Sequence, residues 1–213
     1  MFDNRTVTRA INGELLPMLK AAGFRTDGSR SFLRETEKTI VVLELLSCGS
    51  LRDHSNPSTA ITATYGVFFR EIGKYDDHRW PVKLLASSCH TGALPLKRGM
   101  APRLWFPQAE NIWLTQDEYA LKQCMPDLIR SVREQVLDRL EEFDSFDFMA
   151  RTLEAQRDCL ISRYSRAVFH KLHGSPEQYQ QSLMLYLESA EADDQRRRKN
   201  ADEPMGPNPR ALP

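Results

Sequence analysis

Cys89 and His90 stand side by side in the stretch SSCHTG, and a thiol beside an imidazole is the composition of a nucleophile with its base. The pair works only if an imidazole nitrogen comes within hydrogen-bond reach of the sulfur. Successive side chains of a strand point to opposite faces, so at a strand end the two are poor partners. The structural reading packs Cys89 in the core and leaves His90 on the rim of a sheet. Glu44 interrupts the apolar run IVVLELL and shares a strand face with Ile40, Val42 and Leu46. A buried carboxylate must be paired or protonated, which makes Glu44 an acid/base candidate or a structural anchor for an arginine such as Arg34 or Arg70. The reading favours the anchor or an exposed position. His170 and His173 share a helix face at ligand spacing, but Cys159 lies roughly 16 Å away along the helix, too far to close the site. No metal or cofactor is expected.

A second group is defined by charge. The chain balances Lys+Arg 29 against Asp+Glu 29, so no net field draws it to nucleic acid or anionic membrane. The balance is uneven along the chain. Residues 78–109 carry five cations and no acid, while residues 110–160 carry twelve acids and six bases. The simplest account is that the basic segment folds against the acidic helix and is neutralised there. Within it, Leu94-Pro95 and Pro102 flank LKRGMA and mark a loop, followed closely by Trp105 and Trp113. Arginine beside tryptophan is common at interface hot spots, so Lys97, Arg98, Arg103, Trp105 and Trp113 are the expected binding residues. The plainer alternative buries both tryptophans under the loop.

The elements that must position these groups follow from periodicity. Val7, Ile11, Leu15, Leu19 and Ala22 form the apolar stripe of an N-terminal helix, kinked by Pro17 and closed by Gly23-Phe24. SFLRETEKTIVVLELLSC reads as a hairpin around ETEK. A third strand places Ile61, Ala63, Tyr65, Val67 and Phe69 on one face, and VKLLASSC reads as a fourth strand. A capping box at Thr115 and Glu118 opens a helix that Pro126 kinks or restarts, with a stripe of Ile129, Val132, Val136, Leu140 and Phe143. FDSFDF is read as a joint. Leu153, Leu160, Tyr164, Val168 and Leu172 mark a further helix ending at Gly174, and Ser175-Pro176 starts a last one, giving an antiparallel helical hairpin.

The expected architecture is α+β: an antiparallel sheet of about four strands packed by helices, with a C-terminal helical hairpin and a disordered tail. The boundaries are 1–145 for the core, 146–192 for a hairpin packed on it, and 193–213 for the tail. The N-terminus lacks the apolar stretch of a signal peptide and no run is long enough to span a bilayer, which predicts a cytoplasmic protein without a membrane partner.

Three stretches, LLPMLKAAGFRTDGSRSFLRE, ITATYGVFF and SCHTGALPL, resemble a bacterial family known as domain of unknown function 4304. The likeness covers about residues 6–153 and leaves the hairpin outside. It implies an α+β fold and an immunity-like or other partner-binding role, and this chain shows no catalytic signature to carry over. The leading expectation is therefore a non-enzymatic protein-binding module with a protein partner, nucleic acid being disfavoured by the neutral charge. The competing expectations are a small hydrolase or nuclease with His90 as general base and Arg98 or Arg103 clamping an anion, and nucleotide or RNA binding through the same loop.

Overall fold

Pro17 shapes the first element. Lacking an N–H, it cannot bond the carbonyl of Gly13, and the helix that begins as α1 (Asn4–Ala10) widens into a π turn over Ile11–Leu15 before continuing as α2 (Leu16–Ala21). The Leu16 N–H reaches back to Ile11 O across that turn. Gly23, at φ 84°, then closes the helix. Its N–H bonds Lys20 O and the Phe24 N–H bonds Leu19 O, the paired bonds of a Schellman cap, with Phe24 buried as expected. Val7, Ile11, Leu15 and Leu19 are all buried.

The computed structural model describes residues 4–27, 30–47, 60–75, 84–99, 111–115, 117–156 and 159–202, and these divide into two compact units, residues 1–152 and 153–213. The first unit carries an antiparallel sheet of six strands: β1 (Arg25–Thr26), β2 (Ser31–Glu35), β3 (Thr39–Ser47), β4 (Ala60–Phe69), β5 (Leu94–Pro95) and β6 (Ile112–Leu114). The order is β1-β2-β3-β4-β5, with β6 also on β4. β3 and β4 pair from Thr39↔Phe69 to Ser47↔Ile61. That register puts Val41, Leu43 and Leu45 on one face with Ala63, Tyr65 and Val67, and Ile40, Val42 and Glu44 on the other with Thr64, Gly66 and Phe68.

Residues 84–89, the described part of the segment read as a fourth strand, form no strand. They are irregular chain followed by a 3-10 turn at Ala86–Ser88. β5 and β6 occupy the edge of β4 instead, while Leu84, Ala86 and Cys89 join Leu33, Ile40, Val42 and Phe68 in an apolar cluster on the sheet's second face. Hence both faces are covered, which explains why Gly66, Val67, Phe68 and Phe69 are all buried in succession.

After the four-residue α3 (Arg70–Gly73), helix α4 (Glu118–Gln135) is capped by Asp117, whose carboxylate accepts from Ala120 N at 2.7 Å, rather than by Thr115, which is buried. It runs unbroken through Pro126. Its buried stripe is Leu121, Cys124, Met125, Leu128 and Val132, which leaves Ile129 half-buried. A 3-10 turn at Leu137–Arg139 shifts the phase into α5 (Leu140–Phe143). The stretch FDSFDF is a tight joint: α5 ends at Phe143, Asp144 and Ser145 turn the chain, and α6 (Phe146–Ala155) follows, with Phe148 packed 5.0 Å from Phe143 and 6.2 Å from Phe69. Those aromatic contacts carry the first unit past residue 145 to 152.

The second unit contains α7 (Leu160–His173) and α8 (Pro176–Asp202), an antiparallel pair. Leu153 belongs to α6, so the helix read as continuous from Leu153 is interrupted. Ser175 and Gln178 exchange bonds between side chain and backbone, a capping box ahead of Pro176. Tyr164 meets Tyr186 edge to face at 5.3 Å, and Arg163 donates to Leu185 O. α8 continues ten residues beyond Ala192, into the stretch expected as tail. Residues 203–213 of the expected tail lie outside the described residues.

Candidate functional site

The cationic-aromatic loop separates into a buried part and an exposed part. Trp113 is 0% exposed and its indole N–H donates to Asp127 Oδ2 at 3.1 Å. The Arg98 side chain is only 12% exposed; one guanidinium nitrogen donates to Ile112 O at 3.0 Å and Nε lies 3.8 Å from the same Asp127 oxygen. The other Asp127 oxygen accepts from Arg130. Arg98 and Trp113 thus serve to fix β6 against α4 and present no docking surface, contrary to their expected role. Of the acid-free segment, Arg98 finds its acid on α4; Arg79, Lys83 and Arg103 lie outside the described residues. Lys97 is exposed, but its backbone is clamped: its N–H donates to Gln135 Oε1 at 2.9 Å and its C=O accepts from Gln135 Nε2 at 2.6 Å. Arg103 and Trp105 lie outside the described residues. Asp127 is the residue that sequence reasoning missed. Its signal was an acid on the buried stripe of an amphipathic helix, beside Cys124 and Leu128.

SSCHTG proves to be a strand-edge plug. Beyond β5, the edge of β4 exposes the N–H groups of Val67 and Phe69, and side chains fill them: Thr91 Oγ1 accepts from Val67 N at 2.8 Å and His90 Nδ1 accepts from Phe69 N at 2.9 Å. Gly92, at φ 67°, turns the chain away after them. An acceptor Nδ1 places the imidazole proton on Nε2. The ring stacks on Phe69 at 5.6 Å and lies tilted against Phe68 at 4.4 Å, and burial lowers the His90 pKa from 6.5 to about 4. Cys89 packs under Gly66, where a Cβ would stand 2.8 Å from the cysteine Cβ and 2.5 Å from Ala86 O. Only glycine admits this close approach. Burial, with the neighbouring Glu44 charge, pushes the Cys89 thiol up to about 12, so it stays protonated.

Glu44 is a structural anchor, but its partner is neither Arg34 nor Arg70. Its carboxylate accepts from Ala86 N at 3.0 Å and so starts the 3-10 turn. Arg70 pairs with Glu35 at 2.6 Å, and Arg34 lies on the opposite sheet face, 3.9 Å from Asp144. Ala86 sits over Gly66 and His90 at Phe69, three residues or roughly 10 Å along β4. The separation is well outside proton-transfer reach. In the second unit His170 Nδ1 meets Ser182 Oγ at 2.5 Å, an interhelical tie between α7 and α8. Among the described residues no group of three His, Cys, Asp or Glu is placed to hold a metal ion.

A cleft of about 330 Å³ opens between the turn Thr36–Lys38, α3 and the start of α6. Its apolar wall is Phe69, Met149 and Phe146, and Phe146 is 50% exposed. Lys38 and Lys74 stand on the rim with Glu37 and Glu71. The wall is held in place by Asp144, which accepts from the hydroxyls of both Thr36 (2.9 Å) and Thr39, while the Ser145 hydroxyl caps Phe148 N at 3.2 Å. Nothing in the sequence singled out this place, because its residues come from three separate segments.

No family model, curated protein or solved structure matches the chain. Among the described residues no helix is long and apolar enough to cross a membrane.

Proposed function

We propose that the protein is a non-enzymatic protein-binding module that docks its partner through the cleft between the Thr36–Lys38 turn and the start of α6. The observation that carries this reading is Phe146, half exposed in a cleft it lines with Met149 and the buried Phe69, with residues of both charge signs around it. An aromatic and a methionine at the centre with a polar rim is the usual composition of an interface hot spot. A partner side chain that is apolar, flanked by groups of both signs, fits it. The immunity-like role implied by the family resemblance is the narrower form of the same reading. The enzyme reading loses support because its proposed base and acid, His90 and Glu44, are both spent on backbone N–H groups. The loop reading loses support because Arg98 and Trp113 face inward.

The test is affinity capture from host lysate with wild-type protein, Phe146→Asp and Lys97→Glu, followed by titration of the captured partner against each purified variant. Phe146→Asp is expected to lose the partner and Lys97→Glu to keep it. Equal binding by wild type and Phe146→Asp would refute the cleft as the docking surface.

A further inference from the structure

The rim of the docking cleft carries charges in an order that complements itself when reversed. It runs from Glu37 and Lys38 on the turn to Glu71 and Lys74 on α3, all four exposed. The two stretches meet where Arg70 N donates to Lys38 O at 2.9 Å, so Lys38 is the turn residue next to α3. Lys74 stands just past the far end of that helix. Along the rim the signs therefore alternate: acid, base, acid, base. Turned end for end the order reads base, acid, base, acid, so a twofold rotation sets each charge against its opposite. A rim of one sign, or one ordered base, acid, acid, base, would meet like charges instead.

The neighbouring charges are settled within the fold. Glu35 is held by Arg25 and Arg70, and Asp144 accepts from the hydroxyls of Thr36 and Thr39. Glu71 is engaged within its own chain. Glu37, Lys38 and Lys74, in contrast, make no ion pair among the described residues. The end positions, Glu37 and Lys74, are thus the ones whose charges remain for a facing surface. Phe146, half exposed, lines the cleft that these charges border, together with Met149 and the buried Phe69. A twofold axis at Phe146 packs two such rings on each other and removes both from water.

We infer that the cleft docks a second copy of this chain about a twofold axis, with the two Phe146 rings in contact and Glu37 of each copy against Lys74 of the other. The inference rests on the cleft being a docking surface and names its occupant. An unlike partner sets no requirement on the order of signs along the rim, whereas an isologous interface does, and this rim meets it. The patch is drawn from three short segments, so the pairing belongs with the small, reversible interfaces that bury less than about 1,200 Å².

The experiment is sedimentation velocity of the full chain from about 1 μM to about 1 mM, the span in which small interfaces form and part. The samples are wild type, Phe146→Asp, Glu37→Lys, Lys74→Glu, and an equimolar mixture of the last two. Wild type is expected to pass from monomer to dimer as concentration rises, and each variant alone to dimerise about tenfold more weakly or not at all. The mixture is expected to restore the dimer: across the unlike pair both end contacts join opposite signs again, while either charge variant paired with itself sets like charges together. The substituted side chains are exposed, and a thermal melt of each variant verifies that the fold is retained. Wild type that stays monomeric throughout overturns the inference and leaves the docking reading to its own test. A dimer unchanged in Phe146→Asp, or a mixture no more dimeric than either variant alone, also overturns it, since the copies then meet elsewhere or in another orientation. The docking reading falls separately, when a captured partner binds Phe146→Asp as well as wild type.

Discussion

Arg98 and the pair Arg5/Arg9 are alike in the sequence, arginines in segments poor in acid, yet the fold treats them in opposite ways. Arg98 is drawn inward to Asp127, where it shares a carboxylate with Trp113 and Arg130. Arg5 and Arg9 are left exposed, with no ion pair among the described residues. The difference shows that local charge counts do not identify a recognition surface. What matters is whether the tertiary structure delivers a counter-charge, and α4 delivers one to Arg98 from nearly thirty residues away.

Asp127→Ala breaks the inward half of the comparison and has the largest expected effect. It leaves a buried guanidinium and a buried indole N–H without their acceptor, a loss of about 3–5 kcal/mol in denaturant-unfolding free energy. A loss below about 1 kcal/mol would mean that Arg98 is solvated and available to a partner after all.

His90 extends the inward set and makes it sensitive to pH. In the fold the imidazole stays neutral down to about 4, while the unfolded chain takes up its proton near 6.5. The unfolded state therefore binds more protons between those values, so the His90 contribution is present in full above pH 6.5 and is lost as pH falls toward 4, roughly 3 kcal/mol across the window. His90→Asn, which retains an acceptor for Phe69 N, removes this dependence. The check is the difference between wild type and variant in unfolding free energy at about pH 7 and about pH 4.5; parallel profiles would place His90 in a solvated site.

The smallest effect sharpens the outward half. Arg5→Ala/Arg9→Ala changes unfolding stability by no more than about 0.5 kcal/mol, with a gain rather than a loss expected from relieved repulsion. A loss above about 1 kcal/mol would show that the arginines hold the fold and would place them beside Arg98.

Much of the fold was legible in the chain. Gly23-Phe24, the ETEK hairpin, the alternation from Ile61 to Phe69 and the Ser175-Pro176 start each depend on neighbours in sequence, so local rules reach them. The alternation of Ile40, Val42 and Glu44 also placed Glu44 on the correct face. Its partner was not legible, because Ala86 N is brought to it only when the 3-10 turn folds over Gly66. VKLLASSC misled for the same reason: Leu84, Ala86 and Cys89 answer to a sheet face rather than to a ladder. Thr115 and Asp117 are both good caps, and the burial of Thr115 decided between them.

The sequence by itself determined the α+β class, the antiparallel hairpin, the amphipathic helices and the neutral overall charge, since periodicity, caps and turns act over a few residues. Tertiary structure alone decided the fate of each chemical group: Glu44 and His90 became backbone acceptors, Arg98 and Trp113 became a strut on Asp127, and Phe146 became the wall of a cleft. The physical reason is that a polar side chain's role is set by whichever donor, acceptor or charge meets it when water leaves, and those partners lie in other segments of the chain.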